Sequence, residues 1–148
     1  MKFENKVLEY QTKEKFDFLD ITDEIKKFVE GEAGVKNGLV NIQTMHTTTS
    51  LILNENEPLL IEDIKQSLER AAPESIFYNH DNFEVRTVNM CEGECANGHS
   101  HCKAARLPSN LTLNLIDGKI QFGMWQRVLF IELDRSRERK VQIRVIGE

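Results

Sequence analysis

The chain has 148 residues, 40% of them hydrophobic and 29% charged, with a formal net charge of −5. This acidic balance disfavours nucleic acid and anionic membranes as partners, because both attract a basic surface. No stretch approaches the roughly 20 apolar residues that cross a membrane, and no export signal is recognisable, so we expect a cytoplasmic protein. The length, without repeats or linkers, predicts a single domain over residues 1–148.

Extended and helical patterns alternate through the first half of the chain. The predicted elements are strands at Phe3–Gln11 and Phe16–Ile21, a helix at Thr22–Gly31, two extended stretches within Gly38–Glu55, and a helix at Glu57–Ala72. Thr22 is the predicted N-cap of the first helix, and Pro58 suits the first turn of the second. The Gly38–Glu55 stretch is too long for one strand, so we predict a bend after about His46.

The second half begins with an irregular polar segment over residues 73–98 and a helix that starts near Asn97. Asp117-Gly118 between two alternating patterns predicts a tight hairpin turn. After it the apolar phase slips by one position, which predicts a β-bulge at Gly123–Gln126. A last strand follows, with Val141, Ile143 and Val145 inward. Mostly antiparallel strands with two to three helices indicate the α+β class.

One stretch, CEGECANGHSHCKAARL (residues 91–107), holds all three cysteines and two of the four histidines. If a helix begins here, a spacing of two puts His99 and His101 about 200° apart, so only one can point into a site. We favour His101 as that residue. The start of such a helix also offers backbone N–H groups to an anion such as phosphate.

Two metal sites are compatible with these residue types. A zinc site within residues 91–102 has enough ligands, but the spacing is not that of a zinc knuckle, so incidental reduced thiols are the better interpretation. The more specific alternative is a metal site formed by His46, His80 and His101, since neutral imidazoles suit zinc, iron or nickel. Each of these histidines taken alone is more often structural, and the sequence leaves their convergence open.

Other polar residues have both a binding and a structural interpretation. The hydroxyls of residues 47–50 can bind phosphate or belong to an ordinary strand, and we favour the strand for most of them. The basic run Arg135–Lys140 can meet phosphate groups, but a solvated turn is the preferred interpretation. Trp125, the only tryptophan, by default fills the core.

Four stretches together resemble the YjbQ-like family, whose members are described as secondary thiamine-phosphate synthases and which is also classed as an uncharacterised protein family. They are HTTTSLILNE (46–55), NGHSHCKA (97–104), SNLTLNLIDGKIQFGMWQRVLFIELD (109–134) and RKVQIRVIG (139–147), in the same order as in the family. The resemblance implies a β-sandwich-like α+β fold assembled as a homotrimer. It also implies a transferase that joins hydroxymethylpyrimidine diphosphate to thiazole phosphate and releases pyrophosphate.

The resemblance also implies roles for individual residues. The catalytic candidates are His46, His80, His101 and Glu55, and the three histidines are also candidate ligands of a divalent metal, zinc or magnesium. The substrate-binding candidates are Thr47, Thr48, Ser50, Asn97, Trp125 and Gln126. The chain departs from the family at two places: Met124 stands where the family usually has threonine, and Arg135-Ser136 stands where it has Gly-Pro.

Functions of different classes remain open. The first is a cytoplasmic trimeric enzyme whose histidines bind a metal or act as acid and base near neutral pH. The second is a non-catalytic trimeric module that binds a small phosphorylated molecule, and a metal-dependent hydrolase is a further alternative. The chain shows no acidic cluster of the usual magnesium–pyrophosphate kind, so a phosphorylated substrate other than that of the family is also compatible with the sequence.

Overall fold

The computed structural model describes the whole chain, residues 1–148, as eight strands and three α-helices joined by turns and loops. In chain order the elements are β1 (Lys2–Gln11), β2 (Phe18–Asp20), α1 (Thr22–Lys26), β3 (Gly38–Thr44), β4 (Thr49–Asn54), α2 (Pro58–Ala71), α3 (Gly98–Ala104), β5 (Asn110–Ile116), β6 (Lys119–Ile120), β7 (Arg127–Glu132) and β8 (Glu138–Gly147). A π-helical turn at Lys27–Glu32 continues α1, and a 3₁₀ turn at Asn79–Asp81 interrupts the long loop between α2 and α3.

The strands form two antiparallel sheets. The order is β1-β8-β3-β5-β6 in the five-stranded sheet and β2-β7-β4 in the three-stranded sheet. The predicted α+β class is therefore confirmed. The predicted bend is also present, since β3 ends at Thr44 and the chain then passes to β4 in the other sheet. None of the helices is both long and apolar enough to cross a membrane.

The main hydrophobic core lies between the two sheets. Val40 and Ile143 of the five-stranded sheet and Phe130 of the three-stranded sheet are among its fully buried members. The opposite face of the three-stranded sheet packs against α2 and α3 through a smaller cluster that includes Leu68 and Ile131. β7 is therefore buried on both faces, and its sequence is accordingly an unbroken apolar run rather than an alternating one.

The two sequence signals after β5 have different outcomes. The predicted hairpin turn is confirmed, because Asp117 and Gly118 have φ angles of 50° and 73°, the left-handed values that a tight two-residue turn requires. The predicted bulge at Gly123–Gln126 is wrong. β6 ends at Ile120, and the chain leaves the five-stranded sheet before it enters the three-stranded sheet at Arg127. The phase slip therefore marks a change of sheet.

The predicted cap of the first helix is also wrong. Ile21 occupies the N-cap position, and Thr22 already lies within α1. The Thr22 hydroxyl donates to Oδ1 of Asp20 at 2.6 Å and accepts from the Val128 amide at 2.8 Å. It therefore joins α1 to β7 instead of satisfying the helix's own amides. Pro58 does lie in the first turn of α2, as predicted.

Asp20 provides a stability prediction with a defined pH dependence. Its carboxylate accepts from Arg127 Nε at 2.7 Å. Burial tends to raise the pKa of Asp20, but the hydrogen bonds from Arg127 and Thr22 lower it below its ordinary 3.8. A lowered folded-state pKa gives stability that is present above 3.8 and is lost as the pH falls through the folded-state value. We expect Asp20→Asn to lower the free energy of unfolding by roughly 1–3 kcal/mol near neutral pH, and by much less in acid.

The control for this prediction is Asp23→Asn. Asp23 also contacts Arg127, at 3.1 Å, but its side chain is 83% exposed. Urea titrations of both variants at neutral and acidic pH measure the difference. An equal loss of stability in the two variants, or a loss in Asp20→Asn that does not change with pH, would contradict the assignment.

Candidate functional site

A cavity of about 500 Å³ opens beside the bend between β3 and β4. Its walls come from that bend, the loop between α2 and α3, the start of α3, and the segment that runs from β7 into β8. We call it the arginine cavity, and the lining residues that matter below are His46, Thr47, Thr48, His80, Arg86, Asn97, His101, Arg135, Arg137 and Arg139. Three histidines and four arginines from distant parts of the chain therefore face one space, together with Glu92 and Glu94.

His80 and His101 form a contacting pair in this cavity. Their ring centroids are 4.5 Å apart and the rings meet edge to face, at 61°. The Nε2 atom of His80 is buried and has no hydrogen-bond partner in the protein. Burial lowers the pKa of His101, and the neighbouring His80 lowers it further. His101 is therefore neutral near neutral pH and retains one nitrogen that can accept a proton.

His46 lies on the same cavity but is held by the backbone. Its Nε2 atom accepts a hydrogen bond from the Lys140 amide at 2.7 Å. Burial lowers the pKa of His46, and the Arg139 guanidinium lowers it further. Because Nε2 is already engaged, only Nδ1 remains available to another partner. His46 thus ties the β3–β4 bend to β8.

The predicted metal sites are not assembled within one chain. No three or more histidine, cysteine, aspartate or glutamate side chains are arranged to hold a metal ion. His46, His80 and His101 line the same cavity without forming such a group, and a zinc or magnesium ion held by them stays a prediction. The alternative zinc site within residues 91–102 does not form either, and its cysteines are free thiols.

The basic run that begins at Arg135 bends and is partly solvent-exposed, as we favoured, but its arginines also line the cavity. Arg135, Arg137 and Arg139 all line the cavity, at the bend that leads into β8 and in β8 itself. Nη1 of Arg135 and Nε of Arg137 are buried and have no hydrogen-bond partner in the protein.

Beneath the cavity, Arg139 forms a buried ion pair with Glu132, which is fully buried. Nε and Nη2 of Arg139 each donate to one carboxylate oxygen of Glu132, both at 2.6 Å. Nη2 also donates to the Thr48 hydroxyl at 2.9 Å, and the Thr12 hydroxyl donates to Glu132 at 2.9 Å. The network joins β7, β8 and the β3–β4 bend, so it fixes the floor of the cavity.

Asp81 organises the start of α3. Its Oδ1 atom accepts from the amides of Asn97 and Gly98, both at 2.9 Å. These are amides that we expected to be free for an anion, so the prediction of a phosphate at this helix start is not supported. Gly98 is required here, since a Cβ at this position would lie 2.5 Å from Cβ of Tyr78. The result is that Asn97 is held firmly against the cavity.

The two histidines of α3 separate as predicted. His101 lines the arginine cavity, whereas His99 is buried against a different group of residues. Nδ1 of His99 lies 3.1 Å from Nζ of Lys103, which is itself fully buried and donates to the Ala72 carbonyl at 2.7 Å. Lys103 also lies 3.1 Å from a Glu69 carboxylate oxygen. His99 therefore belongs to the contact between α2 and α3.

Four predicted site residues lie elsewhere in the chain. Ser50 is 1% exposed within β4 and does not line the arginine cavity. Glu55, Trp125 and Gln126 line a separate groove of about 420 Å³. Trp125 is 67% exposed, so its default assignment to the core is wrong. Within one chain, these residues do not share a site with the histidines.

The fold and the cavity define a class: an α+β protein of two antiparallel sheets with a cavity lined by arginine, histidine and glutamate side chains. The chain belongs to the family described as UPF0047 protein YjbQ-like, whose model matches residues 6–148. The family resemblance predicted from the sequence is therefore confirmed.

Individual relatives match almost the whole chain. A UPF0047 protein of Archaeoglobus fulgidus is 34% identical over 139 residues, which cover 94% of this chain and 98% of the relative. UPF0047 protein YugU of Bacillus subtilis is 28% identical and covers 96% of this chain and 98% of its own length. Among solved structures, a YbjQ-like protein of Sulfolobus solfataricus has a TM-score of 0.88 at 29% identity, with 99% of both chains covered.

Proposed function

We propose that the arginine cavity binds a small phosphorylated molecule and that the protein is a transferase acting on it. The observation that carries this proposal is the pair of buried guanidinium nitrogens, Nη1 of Arg135 and Nε of Arg137, that have no hydrogen-bond partner in the protein. Nη1 of Arg135 lies 3.9 Å from Oδ1 of Asp134, which is too far for a hydrogen bond. Buried donors of this kind are normally satisfied, and a guanidinium matches the geometry of phosphate oxygens. An anionic ligand supplies the missing acceptors.

The family resemblance supplies the reaction class. In a thiamine-phosphate synthase reaction, the thiazole nitrogen forms a bond to the methylene carbon of the pyrimidine, the bond from that carbon to the diphosphate oxygen breaks, and pyrophosphate leaves with the electron pair. The thiazole becomes a cationic thiazolium, so the net charge balances. The requirement on the protein is to stabilise negative charge on the leaving group, which preorganised guanidinium groups do.

The histidine pair is proposed to contact the reacting part of the substrate. A neutral His101 can accept a proton or a hydrogen bond from the substrate, and the unpaired Nε2 of His80 provides a second contact. Protonation of His101 removes its free acceptor nitrogen. We therefore expect activity to fall on acidification, with a midpoint below the ordinary histidine pKa of 6.5.

The direct test of the binding proposal is calorimetry with pyrophosphate as the probe. We expect Arg135→Gln and Arg137→Gln each to weaken binding by about tenfold or more, because each removes a charged hydrogen-bond donor. Arg144→Gln is the matched control, since Arg144 is exposed and does not line the cavity. Binding that is equally weak in all three variants would indicate only a general electrostatic effect. Binding without pyrophosphate release in a synthase assay would favour the non-catalytic module.

We also propose that the protein is a homotrimer. The polar residues that the family resemblance groups together occupy two separate surfaces of one chain, the arginine cavity and the groove that contains Glu55, Trp125 and Gln126. Assembly of several copies can bring such surfaces together. Light scattering coupled to size-exclusion chromatography should give three times the chain mass of 17.1 kDa. A monomer mass would contradict this proposal without affecting the cavity itself.

A further inference from the structure

The orientation of the Asn97 side chain is determined by its neighbour. Asn97 is 5% exposed, lines the arginine cavity, and places Nδ2 at 3.3 Å from Oδ2 of Asp134. Exchange of the amide oxygen and nitrogen would set the Asn97 oxygen against a carboxylate, which is unfavourable. Asp134 is itself fixed by an ion pair with Arg137 at 3.0 Å. The Asn97 carbonyl oxygen is therefore the atom directed away from Asp134.

This carbonyl oxygen is an acceptor without a donor. Oδ1 of Asn97 is buried and has no hydrogen-bond partner in the protein. The same cavity holds the unpaired donors of Arg135 and Arg137. The same cavity thus combines two cationic donors, which favour anionic oxygens, with one neutral acceptor, which requires an N–H or O–H group on the ligand.

We propose that this subsite selects an anion that carries a hydrogen-bond donor, such as the P–OH of a phosphate group or a hydroxyl or amine beside it, over an anion of the same size and charge that has none. The inference rests on the proposed function and specifies its ligand. An anion without a donor would place a lone pair against Oδ1 of Asn97 and leave that buried acceptor unsatisfied. The cost of an unsatisfied buried acceptor corresponds to about tenfold or more in affinity.

Inorganic phosphate and sulfate are the decisive probes. At about pH 8 both are mainly dianions of similar size, but only phosphate keeps a proton on oxygen. Calorimetry on the wild-type protein should show phosphate binding at least about tenfold more tightly than sulfate. Comparison of 2-hydroxyethyl phosphate with ethyl phosphate at the same pH identifies the source of the donor. At this pH both monoesters are dianions without a P–OH. Tighter binding of the hydroxyethyl compound would assign the donor to a neighbouring hydroxyl, and equal binding would leave the P–OH of inorganic phosphate as the donor.

Two variants test Asn97 directly. In Asn97→Leu the acceptor is gone, so phosphate and sulfate should bind within about twofold of each other. In Asp134→Asn the carboxylate that orients Asn97 is replaced by an amide, so Asn97 is free to rotate. We expect both anions to bind this variant more tightly, because a negative charge is lost, while the preference for phosphate shrinks. Circular dichroism and melting temperature establish that each variant is folded.

The outcomes separate this inference from the proposed function. Equal binding of phosphate and sulfate by the wild-type protein overturns the inference but leaves an anion site. A phosphate preference that persists in both variants overturns it as well, since Asn97 would not be its origin. Binding of neither anion, nor of pyrophosphate, overturns the proposed function itself.

Discussion

Glu132→Gln is expected to lower the free energy of unfolding by about 3–5 kcal/mol, although the two side chains have nearly the same shape. Glu132 is fully buried, and both of its carboxylate oxygens accept from Arg139. Glutamine removes the charge and one acceptor, which leaves the Arg139 guanidinium buried without its counter-ion. Chemical denaturation with urea, followed by far-ultraviolet circular dichroism, measures the change.

Two controls establish that the loss comes from the broken pair. Glu138→Gln changes an exposed carboxylate at the start of β8 and should alter stability by less than about 0.5 kcal/mol. The double variant Glu132→Leu with Arg139→Met should be more stable than Glu132→Gln, because no unpaired charge remains inside the protein. If Glu132→Gln unfolds at the same urea concentration as the wild-type protein, the buried pair is not a source of stability.

The sequence predicted those parts of the fold that depend on the conformational preferences of neighbouring residues. Asp117-Gly118 identified a turn because few residue pairs accept the left-handed conformation. The inward positions of β8 followed from strict alternation, and Val141, Ile143 and Val145 are all fully buried. The Gly123–Gln126 prediction failed because a phase slip has two causes, a bulge within one strand or a passage to another sheet. Only the long-range pairing distinguishes them.

The sequence predicts which types of residue form the site, but it does not predict how they are arranged in space. His80 and His101 are candidates on chemical grounds, but their contact depends on how the long loop after α2 returns to α3. The Arg135–Lys140 run is partly solvated, as a basic run usually is, and only the return of the chain from β7 to β8 places its arginines beside the cavity. Trp125 was assigned to the core by its size, yet it lies exposed between β6 and β7.

His99 and His101 of α3 allow effects on activity to be distinguished from effects on stability, because only His101 lines the arginine cavity. We expect His101→Ala to lower pyrophosphate release by more than about a hundredfold, within the range that loss of an acid–base group produces. Its free energy of unfolding should change by no more than about 1 kcal/mol, because His101 is only partly buried and lines a cavity. Initial rates at saturating substrate, together with urea denaturation, measure the two effects.

His99→Ala should show the opposite behaviour. His99 is buried, and its removal takes an acceptor from the buried ammonium of Lys103, which costs roughly 1–3 kcal/mol. Since His99 does not line the arginine cavity, the folded variant should retain most of its activity. Normal turnover in His101→Ala would remove this histidine from the chemistry. If both variants lost turnover while keeping the wild-type free energy of unfolding, the two histidines would not be functionally distinct.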